Sequence, residues 1–183
     1  MGLTLIKSLT AAGDSELEFI DGTDDVVMDN TYNEYQFYFV NMHPASSSDF
    51  SFQVNASGGA DFDETITSTF IRAWRRETGD TTGFDYGTGD DQAQGIAYQN
   101  IYDRVFGEAA DSSVSGILTL YDPSSTTYVK HFVSVLNAMH STDYTMENLA
   151  AGYINTTSAI DEISFKFSSG NIDDGTIYMY GVS

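Results

Sequence analysis

The chain has 183 residues and a mass of 20.0 kDa, which suits one domain of ordinary size and is short for two. Hydrophobic residues make up 41% and aromatic residues 14% of the chain, so we expect a packed core and exclude a disordered polar chain. The 27 acidic residues outnumber 7 Lys and Arg, giving a formal net charge of −20. That charge argues against nucleic acid and against an anionic membrane surface as partners. We predict one domain over residues 1–183.

Several classes of chemistry are disfavoured by residues that the sequence lacks. It contains no Cys, which excludes disulfides, thiolate metal sites and a Cys nucleophile. Its 3 His residues accompany no Gly-x-Ser-x-Gly nucleophile turn. The segment Met1–Thr10 has no basic region followed by an apolar core, and no stretch approaches a membrane span. We therefore predict a protein that is neither exported nor membrane-bound, is not an enzyme and uses no cofactor.

Apolar residues alternate with polar ones at regular intervals through the first half of the chain. This period of two predicts strands that bury one face, and a fifth, longer strand is predicted over Thr65–Arg76 from its β-branched and aromatic residues. The third strand ends near Pro44, the fourth stops at Ser57, and Asp21–Asp29 is an acidic loop. The residues that share a face in the first four strands are Leu3 and Leu5; Leu17 and Phe19; Tyr35, Phe37 and Phe39; and Phe50, Phe52 and Val54.

Two consecutive segments near the middle of the chain are less regular. Glu77–Asp91 is rich in Gly, Thr and Asp, and we predict that it is the longest irregular segment, of a length usually associated with function or mobility. Gln92–Phe106 fits a helical face imperfectly and also fits a strand through Ile96, Tyr98 and Tyr102. The sequence leaves both readings of that segment open.

The second half again predicts strands separated by turn residues. Asp122 and Pro123 favour a turn, and Asp173–Gly175 is predicted to close the last hairpin. The predicted strands are Ile117–Tyr121, Tyr128–Asn137, Leu149–Ile154, Ile160–Phe167 and Thr176–Val182. About ten strands at this spacing, without helical patterns between them, indicate an all-β antiparallel two-sheet sandwich that is jelly-roll-like.

Three segments, Ala151–Val182, Tyr121–Phe132 and Glu64–Trp74, resemble a group of small structural proteins encoded by marine tailed bacteriophages. The resemblance implies a virion component that is made in the bacterial cytoplasm, most simply a homotrimeric capsid decoration protein bound to the major capsid protein or other virion proteins. It implies no catalytic residue. The alternative within the same resemblance is a tail-fibre or spike module that recognises a host surface glycan.

The few basic residues are candidates for a protein interface. Arg72, Arg75 and Arg76 lie within five residues of one another in a chain with 7 basic residues, and arginine pairs well with carboxylates of a neighbouring subunit. Pairing with carboxylates of an adjacent strand is an equally good reading. Leu3 and Leu5, near the chain end, are candidates for strand addition to a neighbour, although docking in their own sheet is simpler.

Aromatic side chains are candidates for stacking on sugar rings. Phe84 and Tyr86 lie in the predicted long loop and Tyr98 follows it, so these three are predicted to face a glycan. Trp74 and Tyr102 are further candidates. Burial in the core is the more frequent role of such residues.

Carboxylates and histidines supply the remaining candidates. Glu16, Glu18 and Asp21 distantly resemble the carboxylate motif of β-sandwich glucan hydrolases, but the acids are in a different order, and a solvent-facing strand edge with a turn explains them more simply. Acidic clusters could hold Ca²⁺, although solvated turns are the simpler reading. The scattered histidines are predicted to be isolated. The acidic clusters are Asp24–Asp25, Asp61–Glu64, Asp90–Asp91 and Asp173–Asp174, and the histidines are His43, His131 and His140.

Overall fold

The structure is a computed structural model that describes residues 2–105, 107, 109–140 and 143–183. Over those residues the chain forms strands and turns and no helix, so none is present that could cross a membrane. The strands are β1 Leu3–Thr10, β2 Leu17–Ile20, β3 Glu34–Pro44, β4 Ser48–Ala56, β5 Ile66–Arg76, β6 Thr82–Tyr86, β7 Ala93–Gly95, β8 Gln99–Val105, β9 Val114–Tyr121, β10 Lys130–His140, β11 Tyr144–Ile154, β12 Ile160–Phe167 and β13 Ile172–Val182.

These strands form two antiparallel sheets packed as a sandwich. The large sheet has the order β1-β13-β3-β9-β10-β11-β5-β6, with β7 also pairing with β5, and the small sheet has the order β2-β12-β4-β8. The chain passes between the sheets at each step from β1 to β5. The prediction of an all-β two-sheet sandwich is confirmed, with 13 strands among the described residues where about ten were predicted.

The core between the sheets is built from the alternating residues that the sequence indicated. Tyr35, Phe37 and Phe39 of β3 are at most 1% exposed, and Phe50 and Phe52 of β4 are fully buried. The Phe165 ring of β12 lies 5.1–6.4 Å from the rings of Phe19, Phe37, Phe39, Phe50 and Phe52. Each such pair adds about 0.5–1.5 kcal/mol beyond the apolar area that it buries, so this phenylalanine cluster holds the two sheets together.

The structure corrects the prediction for one segment and decides between the two readings of another. Glu77–Asp91 contains a strand, β6, because Thr82–Tyr86 pairs with β5 from Arg75 to Ile71. Gln92–Phe106, which fitted helix or strand, forms β7 and β8, except that Phe106 lies outside the described residues. Pairing with strands distant in sequence decides both cases, and local propensity does not reveal it.

The prediction that Asp173–Gly175 closes a last hairpin is wrong. These residues belong to β13, where the register with β3 shifts on either side of Asp174. The chain turns earlier, at residues 168–171. There it passes from the small sheet to the large sheet, because β12 pairs with β2 and β4 and not with β13. The Asp-Asp-Gly sequence therefore marks a bulged strand, a role for which glycine is also favoured.

A buried lysine fastens one end of the sandwich. Lys130, the first residue of β10, is 0% exposed. Its Nζ donates to the carbonyl oxygens of Ser125 and Ser158 at 2.6 Å, Tyr128 at 3.1 Å and Thr156 at 3.3 Å. This ammonium joins the turn before β10 to the turn after β11, and burial lowers the pKa of its side chain.

The small sheet leaves part of the large sheet uncovered. Its edge strand β8 packs on β10 and β11, and the inner residues at the start of β5, Ile66 and Phe70, are fully buried. Farther along the same inner face, Arg72, Trp74 and Arg76 are half-buried. The end of β5 and its neighbour β6 therefore extend beyond the sandwich as an overhang.

Candidate functional site

The outward side of the large sheet, called the outer face below, carries a row of apolar and aromatic residues that crosses the sheet. Directly paired residues of antiparallel strands share a face. The matching inner row, from Phe70 through Leu118 and Phe37 to Met179, is fully buried. The outer row runs, strand by strand, through Tyr86, Ile71, Leu149, Val135, Ile117, Tyr38, Tyr178 and Ser8.

A second row beside it extends the apolar character of the outer face. It runs through Thr69, Ala151, Val133, Thr119, Gln36, Tyr180 and Leu5. Leu5 is 51% exposed, and Val133 and Val135 are each 37% exposed. Across the two rows, apolar and aromatic side chains alternate with a few Ser, Thr and Gln residues, and together they form a surface larger than isolated exposed hydrophobic residues do.

Acidic residues are rare on the outer face although the chain is strongly acidic. Within the paired rows of the large sheet, three carboxylates share this side: Glu34, which pairs with Tyr121 and Val182, Glu147, which pairs with Ala73 and Asn137, and Asp174, which pairs with His43 at one end of the sheet. Most of the 27 acidic residues lie in turns, loops and the small sheet. Depletion of charge at the centre of an apolar patch is typical of protein interfaces.

The outer face is large enough for a stable contact. Eight strands at about 4.8 Å spacing span about 34 Å, and four rows of outward residues about 6.8 Å apart add a height of about 20 Å or more. The resulting area, about 700–900 Å², is similar to the roughly 800 Å² that each partner contributes to an ordinary protein interface.

Leu3 and Leu5 both lie on this face, in strand β1. Leu3 pairs with Val182 and Leu5 with Tyr180 of β13, so the N-terminal segment docks in its own sheet, which was the simpler of the two predicted arrangements. β1 is also one end of the large sheet, with β6 at the other end. Met1 lies outside the described residues.

The structure separates the three clustered arginines. Arg72 and Arg76 lie on the inner side of β5, whereas Arg75 lies on the outer side, opposite Thr82 and Thr145. Arg72 is paired within the chain, and Arg76 lies 3.6 Å from Asp80 and 5.5 Å from the Tyr144 ring. Arg75 forms no ion pair with any carboxylate of the described residues. Of the three, only Arg75 lies on the outer face.

The overhang of the large sheet contains a cleft, called the Trp74 cleft below, with a volume of about 350 Å³. It is lined by Arg72, Trp74, Asp85, Asp103, His140, Tyr144 and Met146. The volume falls within the range of small-ligand sites. The cleft joins residues from β5, β6, β8, β10 and β11, which are far apart in the sequence.

Trp74 is positioned by a glycine on the neighbouring strand. It pairs with Gly83 of β6, and a Cβ atom at Gly83 would lie 2.0 Å from the indole ring. The ring therefore lies directly on the β6 backbone, an approach that only glycine permits. Trp74, Tyr144 and Met146 give the cleft aromatic and apolar walls.

The polar groups of the cleft are fixed by one another. Arg72 donates to both oxygens of Asp85, from Nε at 2.9 Å and from Nη2 at 3.1 Å, and Nη1 donates to Asp103. The hydrogen bonds to Asp85 and Asp103 raise the pKa of Arg72. Asp90 lies 3.6 Å from Arg72 Nη1, yet burial raises the pKa of Asp90 above its usual value. One guanidinium thus faces three carboxylates in fixed positions.

The predicted glycan-facing aromatics occupy two separate regions. Phe84, which is 72% exposed, and Tyr86, which is 46% exposed, lie on the outer side of β6. Tyr98 lies against the small sheet, where its hydroxyl donates to Ser164 and its ring is 3.7 Å from Lys166 Nζ. Tyr102 is fully buried. The structure therefore places Phe84 and Tyr86 together and Tyr98 elsewhere.

Glu16 and Glu18 lie on the outward side of the small sheet, as the alternation predicted, since Leu17 and Phe19 are buried. Glu16 accepts a hydrogen bond from Ser164, and partial burial, together with Glu16 and Glu162, raises the pKa of Glu18. Asp21 accepts a hydrogen bond from the Met28 amide within its turn. Asp21 thus stabilises a turn, and the two glutamates lie on an acidic patch outside the Trp74 cleft.

Among the described residues, no group of three His, Asp or Glu side chains has the arrangement needed to hold a metal ion. His43 contacts the Ser112 carbonyl oxygen, His131 lies beside Tyr153, and His140 lies beside Tyr144. His131 and His140 are nine residues apart on β10.

Sequence reasoning missed most of the outer face and of the Trp74 cleft. A signal for the outer face was present, because Val133 and Val135 alternate with the buried Phe132, Ser134 and Leu136, and strands that are apolar on both faces are normally covered on both. No comparable signal marks Asp85, Asp103 and Tyr144, which meet only through the fold.

No known protein-family model matches the chain, and no curated protein matches it.

Proposed function

We propose that this protein is a structural component of a bacteriophage particle, a homotrimeric decoration protein that binds the major capsid protein and stabilises the shell. The observation that carries the proposal is the outer face, a surface of interface size whose two central rows are rich in apolar side chains and whose paired rows contain three carboxylates, on a chain of net charge −20. The resemblance of three segments to phage structural proteins supports the virion context.

Stabilisation then follows from binding. A protein that binds the assembled shell and not its separated subunits shifts the assembly equilibrium towards the shell by mass action. The outer face faces the shell, where the apolar rows lose contact with water, and the acidic side of the sandwich faces solvent. Repulsion between acidic surfaces keeps unbound copies apart.

The proposal is tested on particles of the phage that encodes the chain. We expect a copy number comparable with that of the major capsid protein and a loss of heat resistance when the protein is removed. Val135→Glu, in the middle of the outer row, is expected to weaken rebinding to stripped particles by about tenfold or more, because it buries an unpaired charge.

Ile96→Glu is the matched control. Ile96 is 61% exposed, and its carbonyl oxygen accepts a hydrogen bond from Gln53 of the small sheet, so this variant places the same charge on the opposite side. Equal rebinding of both variants and the wild-type protein, or a copy number far below that of the shell protein, would contradict a decoration role.

The second candidate is a tail-fibre or spike module that binds a host glycan. The observation that favours it is the Trp74 cleft, whose aromatic walls and fixed polar groups suit a small ligand. This function gives few copies per particle, and its loss abolishes adsorption while leaving the heat resistance of the head unchanged. A quantified protein gel of intact particles therefore separates the two functions.

A further inference from the structure

The walls and the polar groups of the Trp74 cleft match different parts of one kind of ligand. Trp74 and Tyr144 offer aromatic surface, against which the C–H faces of a sugar ring pack. Beside them, Asp85 and Asp103 offer carboxylate oxygens that accept hydrogen bonds from hydroxyl groups. A site with apolar walls and a few converging polar groups is the usual form of a small-molecule site.

The guanidinium of Arg72 adds donors to these acceptors. Arginine has five N–H donors, and the hydrogen bonds to Asp85 and Asp103 use three of them. Of the remaining two, the one on Nη1 lies near Asp90, at 3.6 Å, and because Arg72 also lines the cleft, the one on Nη2 can donate to a ligand. A sugar hydroxyl both donates and accepts and so satisfies both kinds of group, whereas an ammonium group only donates and would leave the remaining Arg72 donor without an acceptor.

The charge of the cleft selects among sugars. Asp85, Asp90 and Asp103 surround a single arginine, and the whole chain carries a net charge of −20. A uronic or sialic acid would bring another carboxylate into this field, where repulsion between like charges opposes binding.

The geometry points to the Trp74 cleft as a binding site for a neutral saccharide, with a sugar ring packed on Trp74 and its hydroxyls bound by Asp85, Asp103 and Arg72. A neutral saccharide is thus the ligand class for the second candidate function, and the biological role of the site rests on that function. Saccharide binding itself does not depend on where the protein lies on a particle.

The test uses a reporter that the chain already contains. Trp74 is the only tryptophan of the sequence, so the emission of the wild-type protein reports on the cleft alone. We expect chitohexaose or maltohexaose to shift this emission saturably and to protect Trp74 from quenching by acrylamide, with oligogalacturonate giving no effect. Isothermal titration calorimetry with the same probes measures the affinity.

Trp74→Phe and Tyr144→Ala are expected to weaken calorimetric binding by about tenfold, with Phe84→Ala as the matched control. Phe84 lies on the neighbouring strand but on the outer side, so its loss is expected to leave affinity unchanged. Circular dichroism verifies that each variant folds. The inference is overturned if neither neutral probe binds, if oligogalacturonate or a lysine-rich peptide binds better, or if the cleft variants bind as the wild type does.

Failure of this inference is distinguishable from failure of the proposed functions. Saccharide binding without any effect of cleft variants on adsorption would retain the site and contradict the receptor-binding role. Absence of saccharide binding, together with a shell-like copy number, would contradict this inference and leave the decoration role intact.

Discussion

Replacing Lys130 by Met removes an ammonium that stabilises four backbone carbonyl groups while keeping most of the side-chain volume. The Nζ atom of Lys130 contacts the carbonyl oxygens of Ser125, Tyr128, Thr156 and Ser158 at 2.6–3.3 Å, and the residue is 0% exposed. The substitution leaves these oxygens without their donor in the two turns that the lysine joins.

The expected loss follows from the surroundings of those oxygens. A buried acceptor left without a donor costs about 1–3 kcal/mol. All four carbonyls belong to turn residues that are exposed or half-buried, so water can replace part of the loss, and removing the charge relieves its desolvation. We expect Lys130→Met to reduce the free energy of unfolding by about 2–4 kcal/mol, which lowers the Tm of a domain of this size by about 5–15 °C.

Lys7→Met is the matched control, because it changes the net charge equally and removes an exposed Nζ that donates to one carbonyl oxygen, that of Asp24 at 2.8 Å. Urea and thermal unfolding followed by circular dichroism measure both variants. If Lys130→Met loses no more stability than Lys7→Met, the four contacts do not stabilise the fold and the reasoning is refuted.

Three further outcomes are expected. Gly83→Ala would place a Cβ atom 2.0 Å from the Trp74 ring, so it should lower the free energy of unfolding by about 1–3 kcal/mol and shift the tryptophan emission. Gly89→Ala is the control, because no atom lies within 4 Å of its Cβ, and it should change neither quantity. If the two variants have the same stability and the same emission, the contact between Trp74 and Gly83 is contradicted. Burial and the neighbouring glutamates raise the pKa of Glu18 from its usual 4.5. The ionised carboxylate therefore destabilises the folded state at pH values above the folded-state pKa, and this destabilisation disappears below pH 4.5, where the carboxyl group is protonated. Glu18→Gln should therefore raise the Tm at pH 7 but not below 4.5, and Glu147→Gln on the large sheet is the matched control for the loss of one negative charge. Loss of a polysaccharide-cleaving activity in Glu18→Gln would contradict the prediction that the protein is not an enzyme. Raising NaCl from about 0.05 to 0.5 M should raise the Tm by screening the charge of −20, and a Tm insensitive to both salt and chelator would contradict this.

The sequence predicts the strands better than it predicts their partners. Ile160–Phe167 forms β12 with the predicted bounds, because its alternation is strong and turn residues flank it. Glu77–Asp91 was predicted as a loop, since nothing in its composition reveals that Thr82–Tyr86 pairs with β5. Local patterns report burial on one face, whereas register and sheet order depend on contacts between residues that are distant in sequence.

The candidate site shows the same limit. The arginine cluster was visible in the sequence, but the alternation of β5 sends Arg75 to one side and Arg72 and Arg76 to the other. The carboxylates that hold Arg72 come from β6 and β8, and no spacing in the sequence links those strands to β5. A cleft made where one sheet extends past another is a property of the assembled sandwich.

The two open ends of the large sheet, β1 and β6, have a consequence for the colloidal behaviour of the protein. Each end offers backbone groups able to pair with another chain, and such edges promote aggregation unless something opposes it. At neutral pH, electrostatic repulsion between highly charged molecules does so. Near the isoelectric point of about 4.1 that repulsion vanishes, so acidification should precipitate folded protein before it unfolds it.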